Sequence, residues 1–262
     1  MQPINIVPRA YLEETANQSH HIALYQELAK NDEYLEFYKR MLAEGKFVMM
    51  DNGAAEGVNP TLEELLPVYD ELQPSEIILP DVVGQKEETL NRSKNAYTKL
   101  VEMGYHERMQ FMAVPQGATF SEWLECMHIM IKQEHITTIG VSKFVTKLYK
   151  EELGENVNVR LECVDAIVNY AVENNLRVPQ IHLLGCYYTP YEIGQIESTF
   201  PGAVRSTDSA IAYVYSRNGM QIEDDERPDQ KEIDFSGNDV ASEHLELLRA
   251  NMKQYANICC GN

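Results

Sequence analysis

Residues 109–142, MQFMAVPQGATFSEWLECMHIMIKQEHITTIGVS, decide the fold. An apolar run from Met109 to Val114 stops at Pro115-Gln116-Gly117, a stretch with helical spacing occupies 120–134, and a second β-rich run from Thr137 to Val141 stops at Ser142. Short apolar runs bounded by turn residues read as strands, and longer stretches with a 3.6-residue period read as helices. The unit is a strand, a helix and a second strand, with a crossover long enough to leave the two strands parallel.

The same alternation runs outward in both directions. Further strands are predicted at Ile4 to Val7, Lys46 to Met50, Glu76 to Leu79, Gln180 to Leu184 and Ala203 to Ser206, with helices over 22–44, 61–72, 85–103, 158–174 and 189–199. Several of these helices open on Thr, Ser or Asn ahead of an acidic first turn, the residues that cap a helix by accepting its free N–H groups. Repeats of about thirty residues are βα units, and eight of them in roughly 250 residues close a barrel. The expected fold is therefore α/β, a TIM (β/α)8-type barrel, with an open doubly wound sheet as the alternative. Seven strands are readable; the eighth is expected in 142–160 or after Ser209, in Ile-Ala-Tyr-Val-Tyr. The barrel is expected over 1–218, an acidic loop or linker over 219–238 (GMQIEDDERPDQKEIDFSGN), and a C-terminal helix packed on the barrel over 239–262.

With 22 Lys+Arg against 41 Asp+Glu, the 262 residues carry a formal charge of −19. That argues against a broad basic face for gripping nucleic-acid phosphates and leaves room only for local basic contacts. No stretch reaches the 18 apolar residues of a membrane span, and the opening MQPINIVPRAYLEET lacks the apolar centre of a signal peptide, so a cytoplasmic protein is expected. The five cysteines form no C-x-x-C pair. They read as small buried hydrophobes or free thiols, and no metal is expected.

In a parallel α/β protein the ligand site lies at the C-terminal ends of the strands. The polar residues that follow the apolar runs are Asp51-Asn52-Gly53, Asp81, Gln116-Gly117, Ser142, Gly185 and Asp208-Ser209. Any one of these is explicable as a turn or a helix cap, but their repetition places three carboxylates and one carboxamide on one rim. Two facing carboxylates can divide a glycosyl transfer, one attacking the anomeric carbon while the other moves protons. A purine needs an acceptor for its ring N–H and exocyclic amine, which Asp81 offers, and a donor for its carbonyl, which Gln116 and backbone near Gly140 offer. Glycines 117, 140 and 185 let backbone approach a flat ring.

The ordered set D-N-G, L-P-D, V-P-Q-G, I-G-V-S, H-L-L-G and S-T-D-S over roughly 46–210 resembles the tRNA-guanine transglycosylase superfamily, a group of TIM barrels. It is most similar to the phage-associated DNA-guanine transglycosylases of the DpdA type, which exchange guanine in DNA for a 7-deazaguanine base. The resemblance implies that Asp208 is the nucleophile that bonds to the sugar C1′ and Asp51 the general acid/base. It implies that Asp81 and Gln116 read the base, with Asn52 and Gly117 beside them, and that Gly140, Leu184 and Gly185 contact the purine. It also implies DNA and a free 7-deazaguanine as partners and no cofactor; the acidic balance makes an accessory protein the alternative source of contacts to the nucleic-acid backbone.

The chain departs from the family's D-S-G-G-F-Q, reading Asp51-Asn52-Gly53-Ala54-Ala55-Glu56, so the stacking aromatic is replaced by Ala55 and Tyr187 or Phe144 is expected to serve instead. It also lacks the C-x-C-x-x-C zinc site of the tRNA enzymes, which favours a DNA substrate. Contacts to the nucleic-acid backbone are expected from Lys143, Lys147 and Arg205, with Lys150 and Arg217 nearby; K-F-V-T-K-L-Y-K interleaves lysines with aromatics as strand-tracking elements do. Exchange on tRNA or a free nucleoside, and a non-catalytic partner subunit, are the competing readings. The presence of both Asp51 and Asp208 argues against the last.

Overall fold

The computed structural model describes residues 1–186, 190–223, 228, 235 and 244–261. Eight parallel strands make one sheet: β1 Gln2–Asn5, β2 His20–Leu24, β3 Phe47–Asp51, β4 Glu76–Ile78, β5 Gln110–Ala113, β6 Ile136–Ser142, β7 Gln180–Leu184 and β8 Val204–Ser209. Their order, β1-β8-β7-β6-β5-β4-β3-β2, curls the sheet into a nearly closed TIM barrel. At the seam between β1 and β2, side chains do the joining. The Asn5 N–H donates to Gln18 Oε1 (2.9 Å) and the Ser19 hydroxyl donates to Gln2 Oε1 (3.2 Å).

The period-2 pattern of each strand sorts its side chains into two cores. On β3, Met49 points into the barrel with Ile4, Ile22, Ile78, Met112 and Val114, whereas Val48 and Met50 point outward against the helices. Each such fully buried side chain contributes about 1.5–3 kcal/mol from removal of apolar surface from water. The capping residues hold their helices as expected. Thr61 and Glu64 form a reciprocal capping box on Leu62–Leu72, while Thr119 and Asn158 accept from the N–H groups of Glu122 and Leu161.

The missing strand lies where a helix was expected. His20–Leu24 overlaps the start of the predicted 22–44 helix, which is in fact Tyr25–Leu28 and Asp32–Ala43. Two histidines mask a run with only three apolar residues, although His21 is itself buried. Neither place proposed for the eighth strand holds one. The segment after β6 forms helices Phe144–Leu153 and Val159–Glu173, and Ile211–Arg217 is helical.

Near the C-terminus, Leu245–Cys259 is a helix with Leu248, Asn251, Tyr255 and Ile258 buried. Tyr255 reaches the barrel wall through the Thr207 hydroxyl (3.3 Å). Residues 239–243 and most of the acidic 219–238 segment fall outside the described residues. Among the described residues, no helix is long and apolar enough to cross a membrane.

Candidate active site at the rim of the barrel

The C-terminal ends of the strands surround a cavity of about 530 Å³, within the size range of small-molecule sites. Asp51 from β3, Asn52 and Asp81 just beyond β3 and β4, Leu184 and Gly185 from the end of β7, and Asp208 from β8 all line it.

Asp208 is buried, and its Oδ1 accepts from His182 Nε2 (2.9 Å) and from the Gly185 N–H (3.2 Å). Among the described residues no hydrogen bond engages its Oδ2. Gly185 can serve because its φ of +69° turns the N–H inward, a conformation that costs glycine little. The buried Arg160 guanidinium fixes that turn from behind, donating to the carbonyls of Gly185 (2.7 Å) and Val141 (3.0 Å).

Asp51 Oδ2 accepts from the Gly53 N–H (3.0 Å). Burial pushes its carboxyl up to about 8; repulsion from Glu56, Asp208 and Asp81 adds to this, and the Gly53 bond opposes it. The group therefore holds its proton far more readily than a free aspartate does. Asp81 is held on both oxygens, by Asn52 Nδ2 (2.8 Å) and Gln116 Nε2 (2.7 Å). Burial pushes it up to about 6, and those two amides limit the rise by favouring the charged form. A fourth carboxyl, Glu56, lines the same cavity. Partial desolvation against the cavity wall raises it, although the residue is exposed overall, with Lys143 opposing and Asp208 reinforcing the effect.

Several expected contacts are placed differently. Gln116 lies behind Asp81, outside the cavity lining, with its Nε2 on Asp81 and its Oε1 accepting from Gly84 N–H (3.1 Å), so it orients Asp81 and does not face a ligand. Gly117 is needed for packing. A Cβ there would lie 2.5 Å from the Trp123 nitrogen, because the backbone runs against the start of helix Phe120–Met130. Gly140 makes room inside the barrel, where a Cβ would meet Leu184, Met112 and Val114 at 2.9–3.0 Å. Arg205 is at the opposite end of the barrel, donating to both oxygens of the buried Glu76, and cannot reach a strand lying on the rim. Its position at the entrance of β8, not at the exit, explains the difference.

Lys143 does lie at the cavity, its stem over Gly185 and its ammonium 5.4 Å from the Phe144 ring centroid; Lys147 is exposed on the helix that follows. Lys150 is 3.3 Å from Glu155. Of the two rings expected to stack on a base, Phe144 lines the cavity and Tyr187 lies outside the described residues.

Three residues escaped sequence reasoning. Phe235, from the acidic segment, lines the cavity, and its carbonyl accepts from the Arg9 N–H (3.0 Å). His182 and Ser206 hydrogen-bond to each other (2.8 Å) inside the barrel. Both stand in the motifs H-L-L-G and S-T-D-S without an assigned role, and the signal that could have placed His182 inside the barrel was parity, since it shares the inward register of Leu184 two residues on. Among the described residues, no group of three or more His, Cys, Asp or Glu is placed to hold a metal ion.

No protein-family model and no curated protein matches the sequence. The solved structures it is similar to include tryptophan synthase from M. tuberculosis, at 10% identity and TM-score 0.52, covering 100% of this chain and 93% of that one. D-psicose 3-epimerase is similar at 10% identity and TM-score 0.52, with both chains covered in full. At such identity the likeness is one of fold, and a TIM barrel hosts many unrelated chemistries at this same rim. The function therefore has to be argued from the site.

Proposed function

We propose that this chain is an enzyme, a guanine transglycosylase acting on DNA, which replaces guanine with a 7-deazaguanine base through a covalent aspartyl-glycosyl intermediate. The observation that carries the reading is the pairing, around one cavity, of a carboxyl with one oxygen that no hydrogen bond engages among the described residues (Asp208) and a carboxyl whose proton affinity is raised to about 8 (Asp51). Asp81 stands beside them, held by two amides as an acceptor for a purine's N–H groups.

In this scheme a guanine is flipped out of its strand into the cavity, at a cost of a few kcal/mol that is least where the strand is already single. Phe144 and Phe235 supply apolar ring surface. Asp208 bonds to C1′ as the C1′–N9 bond breaks, and the electron pair leaves with the base, which takes the Asp51 proton. The incoming base returns a proton to the Asp51 carboxylate and attacks C1′ with its freed electron pair, expelling Asp208. Two inversions give net retention. Lys143 and Lys147 contact flanking phosphates. DNA is favoured over tRNA because the 262 residues contain no C-x-C-x-x-C zinc motif.

The test is to incubate the protein with duplex DNA, single-stranded DNA and unmodified tRNA, each with labelled guanine. Incorporation into DNA is expected. Label in tRNA alone sinks the DNA assignment, and label in none sinks base exchange. Asp208→Ala should lower exchange by about four orders of magnitude or more and abolish any denaturation-resistant protein–DNA adduct; undiminished exchange refutes the nucleophile.

A further inference from the structure

Asp208 is the cavity end of a hydrogen-bonded chain that crosses the barrel interior. Arg205 Nε donates to Ser206 Oγ (3.1 Å), Ser206 Oγ meets His182 Nδ1 (2.8 Å), and His182 Nε2 meets Asp208 Oδ1 (2.9 Å). His182 and Ser206 are both fully buried, so the geometry cannot be exchanged for contacts to water. The two ends fix the direction of the protons. A carboxylate only accepts, so Nε2 carries the proton that faces Asp208, while the Ser206 hydroxyl, accepting from the Arg205 guanidinium, has its own proton to offer to Nδ1.

On the base-exchange reading just given, we infer that His182 is a positioning residue that divides the labour of the two Asp208 oxygens and sets the lifetime of the covalent intermediate. Oδ1, bound by Nε2–H and by the Gly185 N–H, stays out of the reaction and becomes the carbonyl oxygen of the glycosyl ester. Oδ2 forms the bond to C1′ while the C1′–N9 pair departs with the base. In the second displacement the incoming N9 pair bonds to C1′, the C1′–Oδ2 bond breaks, and its pair returns to the carboxylate. Donors on Oδ1 bind a carboxylate more strongly than an ester carbonyl, because hydrogen bonds to ionised acceptors are about twice as strong. They therefore favour release from the intermediate over its accumulation. The Ser206 and Arg205 links keep the imidazole in the donating tautomer; such second-sphere contacts commonly fix a histidine's proton in this way.

Three variants and one spectroscopic measurement test the assignment. In His182→Leu the release half-reaction, followed by chasing trapped adduct with labelled guanine, should slow about ten- to a hundredfold, as loss of one charge-assisted hydrogen bond implies. The steady-state adduct should rise while formation of the adduct does not slow in step. His182→Gln, which keeps a donor of similar reach, should recover most of the release rate. Ser206→Ala keeps the ring in place and covers the case in which His182→Leu fails to fold; it should slow release by a smaller factor. Histidine-selective 15N spectra of the wild type should show a protonated Nε2 for His182. A ring protonated at Nδ1 alone, or equal slowing of both half-reactions, overturns the inference while leaving base exchange intact. A wild type with the expected Nε2–H and no exchange on any nucleic acid instead overturns base exchange, and with it the step assigned here.

Discussion

The barrel holds carboxylates at both ends of its interior, and they are treated in opposite ways. At the N-terminal end, Glu76 is fully buried but saturated: Arg205 reaches it with both terminal nitrogens (3.1 and 2.7 Å) and the Thr138 hydroxyl also donates to it. Gln180 Oε1 accepts from the same arginine (2.6 Å), and the Phe47 ring lies against the guanidinium, 4.9 Å from its centre. At the C-terminal end, Asp51, Asp81, Glu56 and Asp208 share a cavity with Lys143 as the one Lys or Arg among its described lining residues. The first arrangement closes the barrel floor. The second leaves Asp208 Oδ2 without a hydrogen bond among the described residues and raises the proton affinity of Asp51, Asp81 and Glu56, which suits nucleophilic attack and proton transfer. What separates structural from chemical carboxylates here is whether a cation has been assigned to each.

Removing the cation's partner at the floor should produce the largest change in stability. Glu76→Ala strands a buried guanidinium and is expected to destabilise the fold by about 3–5 kcal/mol in urea unfolding, without moving the pH limbs of the exchange rate. A neutral floor variant as stable as the parent would erase the distinction between the two ends.

At the rim the signature is catalytic. Exchange should follow a bell, rising as Asp81 ionises near about 6 and falling as Asp51 loses its proton near about 8. Asp51→Asn should lower the rate by about a hundredfold or more and remove the alkaline limb. The same substitution should raise stability. Asp51 is ionised in the unfolded chain above its ordinary value and protonated in the folded one up to about 8, so folding takes up a proton across that window and stability falls as pH rises through it. The gain in melting temperature of Asp51→Asn should grow with pH toward about 8 and then level off. A bell whose alkaline limb survives in Asp51→Asn would assign that limb to another group.

The smallest expected effect is on the outer surface. Lys147→Ala should leave stability unchanged and reduce the slope of log binding against log salt by about 1, as loss of one phosphate contact does. An unchanged slope takes Lys147 out of the strand path.

Two of the carboxylates were legible because they close an apolar run: Phe47–Met50 stops at Asp51, and Ile77–Leu79 runs through Pro80 into Asp81, whereas Asp208 follows the polar Arg205-Ser206-Thr207 and was legible through S-T-D-S at the end of a predicted strand. Sequence adjacency does not say which way a side chain turns, and this is where the reading of Gln116, Gly117 and Gly140 parted from the structure. Gln116 keeps the inward parity of Met112 and Val114 but lies past the end of β5 and turns behind Asp81; Gly117 answers to a helix and Gly140 to three interior side chains. Arg205 was expected at the rim because it lies three residues before Asp208, but three residues of strand span about 10 Å, the difference between the rim and the floor. β2 was hidden because a five-residue strand with two histidines has too few apolar positions to show a period, and the helical residues beyond it absorbed the rest.

The β1–β2 seam gives this barrel a latch. Elsewhere neighbouring strands are joined by repeated backbone bonds that fail together, whereas here Gln18 and Ser19 clip the first strand to the second at two side-chain points. The seam is the one junction of the ring without a backbone ladder among the described residues, and β1 on its far side is paired along its length with β8, Ile4 opposite Asp208. Asp208, the nucleophile of the proposed reaction, thus stands one strand from that seam.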